Sequence, residues 1–193
     1  MDMDLYNGTY DRFCELIKNP SPHIFEIGCG PGNITKYILS KKPHFNIDAI
    51  DVAPNMIDLA QKNNPTAHFE VMDCREISKL NMRYDGIVCG FCMPYLSKED
   101  CKKLIQDCAI LLSNDGILYF STIEGDYSQS GPQVGKGGNI VYTYYYQEDY
   151  LREVLQENNF ELIELSRKNY LNAVEKSSVH MIFIARKMYN ENT

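Results

Sequence analysis

The sequence predicts an α/β fold built on a mostly parallel sheet with helices on both faces. Three observations carry that expectation. Short segments rich in β-branched and aromatic residues recur up to residue 122, the signature of buried strands. Helical patterns separate them, so consecutive strands are joined by crossovers and run parallel. The first strand then enters a turn with glycines at 28, 30 and 32, each forfeiting roughly 0.5–1 kcal/mol of order relative to alanine. An open parallel sheet takes its ligands at such a strand-to-helix turn.

The strands are expected at 23–27 (HIFEI), 46–51 (NIDAID), 67–71 (AHFEV), 85–89 (DGIVC) and 116–122 (GILYFST). A helix at 33–41 follows the glycine turn. A second at 55–63 follows Pro54, a residue suited to a helix start. A third at 98–112 is opened by Ser97 with Asp100 three positions on, a variant of the capping box. Residues 125–138 hold five glycines and one proline and read as a mobile loop. NIVYTYYY is strand-like, and a helix is expected at about 148–158. The last two strands, 160–167 and 179–187, have no crossover helix between them and should pair antiparallel. Residues 1–193 read as a single domain without repeat or linker.

Composition narrows the function. Apolar residues make up 44% and charged ones 23% of the 193, the balance of a soluble globular protein. The net charge of −7 argues against nucleic acid, whose nonspecific affinity comes from Lys and Arg neutralising phosphates. No apolar run approaches the ~20 residues that span a bilayer, so no membrane partner is expected. The acidic start MDMDLYNGTY is no export signal, and seven cysteines without export indicate reduced thiols in a cytoplasmic protein.

The loop chemistry points to a nucleotide-like cation. Gly28 permits a sharp turn, and Gly30 and Gly32 let a ligand lie against the main chain. The spacing is G-x-G-x-G with Asn33 next, which departs from the dinucleotide fingerprint G-x-G-x-x-G. Glu26, two residues before the first glycine, would oppose a pyrophosphate and welcome an ammonium. Asp51 closes the second strand, placed for two ribose hydroxyls, and Asp73 follows the third, placed for an exocyclic adenine amine. Either aspartate alone is adequately explained by strand-end solvation; both together are not.

The successive stretches FEIGCGPGNIT, AIDVAPNMIDLAQKN, FEVMDCREI and YDGIVCGFCMPYLS resemble the ordered motifs of class I S-adenosylmethionine (SAM)-dependent methyltransferases. The resemblance runs from about residue 23 to residue 187 and includes the C-terminal NNFELIEL. It implies a Rossmann-like three-layer sandwich with a seven-stranded sheet in the order 3-2-1-4-5-7-6, the last strand antiparallel. It also implies SAM as cofactor, S-adenosylhomocysteine (SAH) as product and a small-molecule methyl acceptor. Carried over, Glu26, Gly28, Gly30 and Gly32 line the methionine part and Asp51 holds the ribose. Val52 and Met56 flank the adenine, Asp73 meets its amine, Cys74 lies beside the ring, and the backbone at Gly90 and Phe91 faces the methionine amine. Simple helix packing explains Val52 and Met56 nearly as well.

The acceptor side is less determined. Pro94-Tyr95 stands where many small-molecule members carry a His pair, so Tyr95 is the candidate to orient an acceptor, though it equally suits wedging the loop on the next helix. The 14 tyrosines concentrate at 142–146, within the acceptor-side segment 125–146. Tyr144 and Tyr146 lie on one side of that run and are candidates to line the substrate site. Residues 1–20 are expected to form a short lid helix, with Tyr6 and Tyr10 facing the substrate. Related enzymes carry more helix there, so the site is open, or closed by a partner in a homodimer, or covered by further residues of a longer parent chain. Cys89 and Cys92 form C-G-F-C, but zinc would need two further ligands, and histidines 23, 44, 68 and 180 show no ligand spacing; no metal is expected. Two other readings stand beside methyl transfer: a SAM-binding protein without turnover, since no base is evident, and an NAD(P)-dependent oxidoreductase supported by the glycine turn and Asp51.

Overall fold

Residues 4–134, 138–171 and 177–189 are described by a computed structural model. Its main sheet contains β1 (His23–Ile27), β2 (Asn46–Asp51), β3 (His68–Val71), β4 (Tyr84–Cys89), β5 (Leu112–Ile123), β8 (Phe160–Leu171) and β9 (Ser177–Lys187). Their order is β3-β2-β1-β4-β5-β9-β8, the expected 3-2-1-4-5-7-6 once two short intervening strands are numbered. The first five are parallel, and β9 runs antiparallel to both β5 and β8.

Period-two burial explains why these segments form a central sheet. On β1, Phe25 and Ile27 enter the core on one face, while Ile24 enters the core on the other. The same division separates Phe120 from Tyr119 on β5 and Phe183 from Ile182 on β9. Phe120 and Phe183 stack at 4.8 Å with rings 5° apart where the antiparallel strand joins. One face is covered by α1 (Asn7–Leu16), α2 (Asn33–Lys41) and α3 (Pro54–Asn63), the other by α4 (Lys98–Leu111) and α5 (Glu148–Glu157).

At the start of α4, Ser97 Oγ accepts from Asp100 N at 3.1 Å and donates to Asp100 Oδ2 at 2.9 Å. The acidic side chain thus meets the capping hydroxyl rather than the cap's own N–H. Ser97→Ala should cost about 1 kcal/mol, measured as a lowered urea midpoint with an unchanged slope.

Three expectations are corrected. The segment 125–138 is not simply a loop: Gly131–Val134 (β6) pairs antiparallel with Ile140–Thr143 (β7) in a separate two-stranded ribbon. Residues 135–137 lie outside the described residues, and composition alone does not separate the flanking strands from a free loop. Accordingly the strand-like run NIVYTYYY ends as a strand at Thr143. The third correction concerns the N-terminal helix. Tyr6 and Tyr10 are 0% and 1% exposed; α1 and the 3-10 turn Asp4–Tyr6 that leads into it pack them onto the sheet beside Phe13, Ile34 and Tyr119. This helix completes a core layer and is not a lid.

Candidate cofactor and acceptor site

The turn after β1 is held by its neighbours. Gly28 N and Cys29 N both donate to Ile50 O of β2, at 2.8 and 2.9 Å. Gly28, Gly30 and Gly32 have φ of 70°, 52° and 78°, a region that L side chains enter at a cost. Their surroundings differ. A Cβ on Gly28 would stand 3.0 Å from Cys92 Cβ, one on Gly32 would collide with Asn64 Nδ2, and one on Gly30 would meet nothing within 4 Å. Gly30 therefore presents bare backbone to open space. At Gly32 the end of α3 takes the space a Cβ would need, and the residue stands outside the cavity lining.

Asp51 ties this loop down from the end of β2. Its Oδ2 accepts from Gly30 N at 2.8 Å and its Oδ1 from Ala53 N at 2.9 Å. Glu26 lies beneath the loop, 1% exposed, on the α2 side of β1. Its Oε2 accepts from Thr35 Oγ1, and its Oε1 is buried without a partner. Burial raises its pKa to about 7, against the lowering effect of Thr35 and aided by the charge of Asp51.

Above these groups is a cavity of about 370 Å³, within the range of small-molecule sites. Of the residues singled out in the sequence, Gly28, Asp51, Val52, Asp73, Cys74 and Phe91 line it, and Glu26, Gly30 and Gly32 do not. Met72, Arg75, Cys92, Tyr95 and Leu96 line it as well. Of these, Arg75, Met72 and Leu96 were not singled out from the sequence, where their only signal is adjacency to the motifs. Met56 is half-buried in the first turn of α3, outside the cavity lining. Gly90 is buried below it, where a Cβ would strike Ile34 Cδ1.

Asp73 is engaged on both oxygens. Oδ1 accepts from Arg75 N and Nε at 2.9 Å, and Oδ2 accepts from Arg75 Nη2. The Arg75 hydrogen bonds hold its pKa down to about 2. The thiols of Cys74 and Cys92 are 3.8 Å apart, and both are raised in pKa, Cys74 chiefly through Cys92. These are protonated, sluggish thiols at neutral pH, unlike the low-pKa cysteines of redox sites.

A second cavity of about 590 Å³ adjoins the first, and Phe91 and Tyr95 line both. Its wall is built from Ser121, Thr122 and Glu124 of or beside β5, Gln129, Gln133, Thr143 and Tyr145 of the 125–146 segment, and Tyr170, Ser178 and His180 of the β8–β9 pair. Of the expected substrate-side tyrosines only Tyr95 lines it; Tyr6, Tyr10, Tyr144 and Tyr146 are absent. Tyr146 is fully buried and donates to Leu96 O at 2.5 Å. Tyr144 stacks on Tyr127 at 6.0 Å and meets Tyr142 at 4.7 Å with the rings tilted. The ring that reaches the cavity is Tyr145, on the other side of the run. Tyr95 is 60% exposed at the junction. Tyr6 stays behind the wall, edge-on to Phe91 at 4.8 Å.

A glycine turn and strand-end carboxylates thus border one cavity of an α/β fold, and a second chamber adjoins it. The chain matches the family model for a methyltransferase domain over residues 24–116. Among curated proteins it is 35% identical to a malonyl-(acyl-carrier protein) O-methyltransferase of Acetivibrio thermocellus, over 51% of this chain and 35% of that one. It thus spans well under half of that relative's length. Among solved structures it resembles a SAM-dependent methyltransferase of Methanosarcina mazei at a TM-score of 0.78 and 17% identity, covering 92% of this chain and 97% of that one. The magnesium protoporphyrin IX methyltransferase of Synechocystis, solved with bound SAH, matches at 0.70 and 17% identity, over 95% and 84%. Among the described residues no helix is long and apolar enough to cross a membrane.

Proposed function

We propose that the protein transfers the methyl group of SAM to an O, N or C atom of a small molecule held in the second cavity. The observation that carries this reading is the junction, where Phe91 and Tyr95 belong to both cavities. The named acceptors of its relatives, malonyl-(acyl-carrier protein) and magnesium protoporphyrin IX, support methyl transfer without specifying this chain's acceptor.

The residues fit the cofactor. The unpartnered Glu26 Oε1 is a buried acceptor awaiting a donor, and an ammonium close to the loop supplies one. Gly28 and Gly30 give the methionine chain bare backbone. Asp51 keeps lone pairs for the ribose hydroxyls after serving Gly30 and Ala53. Val52, Met72, Cys74 and Leu96 offer an apolar slot for adenine, closed by the Asp73–Arg75 pair. SAM brings a sulfonium methyl already activated for displacement, so alignment and exclusion of water are what the chain must supply. Seven free thiols support a cytoplasmic setting.

Calorimetry should show SAH binding, while NADH should give a flat fluorescence titration. No heat with SAM or SAH at millimolar ligand would end this reading. Incubating cell extract with labelled SAM should then yield a labelled product, and with it the acceptor; an unlabelled extract would leave a binding protein without turnover.

A further inference from the structure

We propose that His180 takes the acceptor's proton as the methyl group is transferred, which confines the acceptor to molecules presenting an ionisable O–H or N–H. This rests on the second cavity being the acceptor chamber.

His180 stands on β9 opposite Ile123 of β5, lines the second cavity and is only 4% exposed. Both ring nitrogens have partners. Nδ1 is 2.7 Å from Tyr6 Oη, and Nε2 is 3.2 Å from Ser178 Oγ, a residue of the cavity wall. The ring stacks on Tyr170 at 5.2 Å and lies 6.1 Å from Phe91. Its plane is therefore set from two sides, with Nε2 on the side of Ser178.

The position is tied to the chemistry through Phe91. That residue has φ 64°, a left-handed conformation uncommon for a bulky side chain, and its N–H donates to Ser121 Oγ at 3.0 Å. Phe91 is the partition between the cavities, so the imidazole stands one ring away from the cofactor. Strained backbone at such a boundary is typical of a functional site.

The charged and titratable groups around the imidazole are Tyr6, Tyr170, Lys168 opposite it in the β8–β9 ladder, and Glu124 one residue beyond its β5 partner. Glu124 is already held by Arg167 at 2.7 and 2.8 Å. Burial lowers the pKa of His180, so the ring is neutral near pH 7 and can accept a proton. With Nδ1–H donating to Tyr6 Oη, Nε2 is the accepting nitrogen, and the Ser178 hydroxyl that donates to it must rotate away for the acceptor's proton to take its place.

The step balances. The acceptor's X–H bond breaks and its proton goes to Nε2. The electron pair on X forms the X–CH3 bond, and the C–S pair returns to sulfur as the sulfonium becomes a thioether. The imidazolium then gives its proton to water. Tyr6 does not touch the acceptor; it positions the ring.

The test uses 4-nitrophenol, whose phenolate absorbs apart from the phenol, added to protein saturated with SAH at a pH where the free probe is mostly phenol. The wild type should raise the phenolate fraction about tenfold, the equivalent of one pKa unit. His180→Gln should leave the probe as phenol, and Tyr6→Phe should fall between. SAH affinity by calorimetry should be the same in all three. Histidine NMR gives a second readout in the unmutated protein: the His180 imidazole should become protonated when the probe binds. No phenolate gain in the wild type, or an equal gain in His180→Gln, would overturn the proposal. Failure of SAH itself to bind would instead strike the methyltransferase reading.

Discussion

Asp51→Ala should weaken SAH binding by at least tenfold. Two charge-assisted hydrogen bonds to the ribose are worth about 1.5–3 kcal/mol each, and one decade of affinity is 1.4 kcal/mol. The structure adds a second consequence. A strand-end carboxylate facing a cleft would be expected to leave folding alone. Asp51, however, also accepts from Gly30 N and Ala53 N. Removing it leaves two backbone donors in a part-buried loop without their acceptor, at about 1–3 kcal/mol for each that water does not reach. The variant should therefore lose stability as well as affinity. Asp51→Asn keeps one acceptor oxygen and should be milder on both counts. Gly30→Val is a useful contrast: it leaves Asp51 in place and blocks the ligand with a side chain in open space, and its own stability loss comes from the left-handed φ of 52° rather than from unpaired donors. Calorimetry and urea unfolding of the three proteins decide the matter. An Asp51→Ala protein that binds SAH like wild type would mean the ribose lies elsewhere.

Why the proposed cofactor side was legible and the proposed acceptor side was not follows from how each cavity is built. Glu26, Gly28, Gly30, Asp51 and Asp73 sit at the ends of consecutive parallel strands, and a parallel sheet brings such ends to one edge whatever the rest of the chain does. The ends of β1, β2 and α2 were equally plain because period-two and period-3.6 patterns change abruptly there. The second cavity joins Phe91, Ser121, Tyr145, Tyr170 and His180 from separate elements, and no local pattern links them. For the tyrosine run, alternation gave two sides but not which one faces inward. The bond from Tyr146 Oη to Leu96 O, fifty positions away in sequence, decides that. Likewise Tyr6 and Tyr10 look like surface tyrosines until β5 and α2 are packed on them.

Glu26→Gln should change how stability depends on pH. Burial raises the folded-state pKa of Glu26 from 4.5 to about 7. Between those values the folded protein holds a proton that the unfolded chain has released. Stability linked to this group therefore falls as pH rises from about 4.5 to about 7 and is flat outside that window, a loss of about 3 kcal/mol at 1.36 kcal/mol per unit. His180 acts in the opposite direction, because burial lowers its pKa and stability linked to it rises with pH up to its unfolded value. Both proteins carry His180, so the wild-type minus variant difference isolates Glu26. Urea unfolding at pH 5, 6, 7 and 8 should show the variant overtaking wild type as pH rises. Ligand binding should invert the preference. An ammonium beside Oε1 favours the ionised carboxylate, so wild-type affinity for SAH should climb through pH 7 while that of Glu26→Gln stays flat and lower. Parallel stability curves would mean that the carboxylate is solvated in solution. A normal pH-dependent affinity in the variant would remove Glu26 from the cofactor site while leaving Asp51 in it.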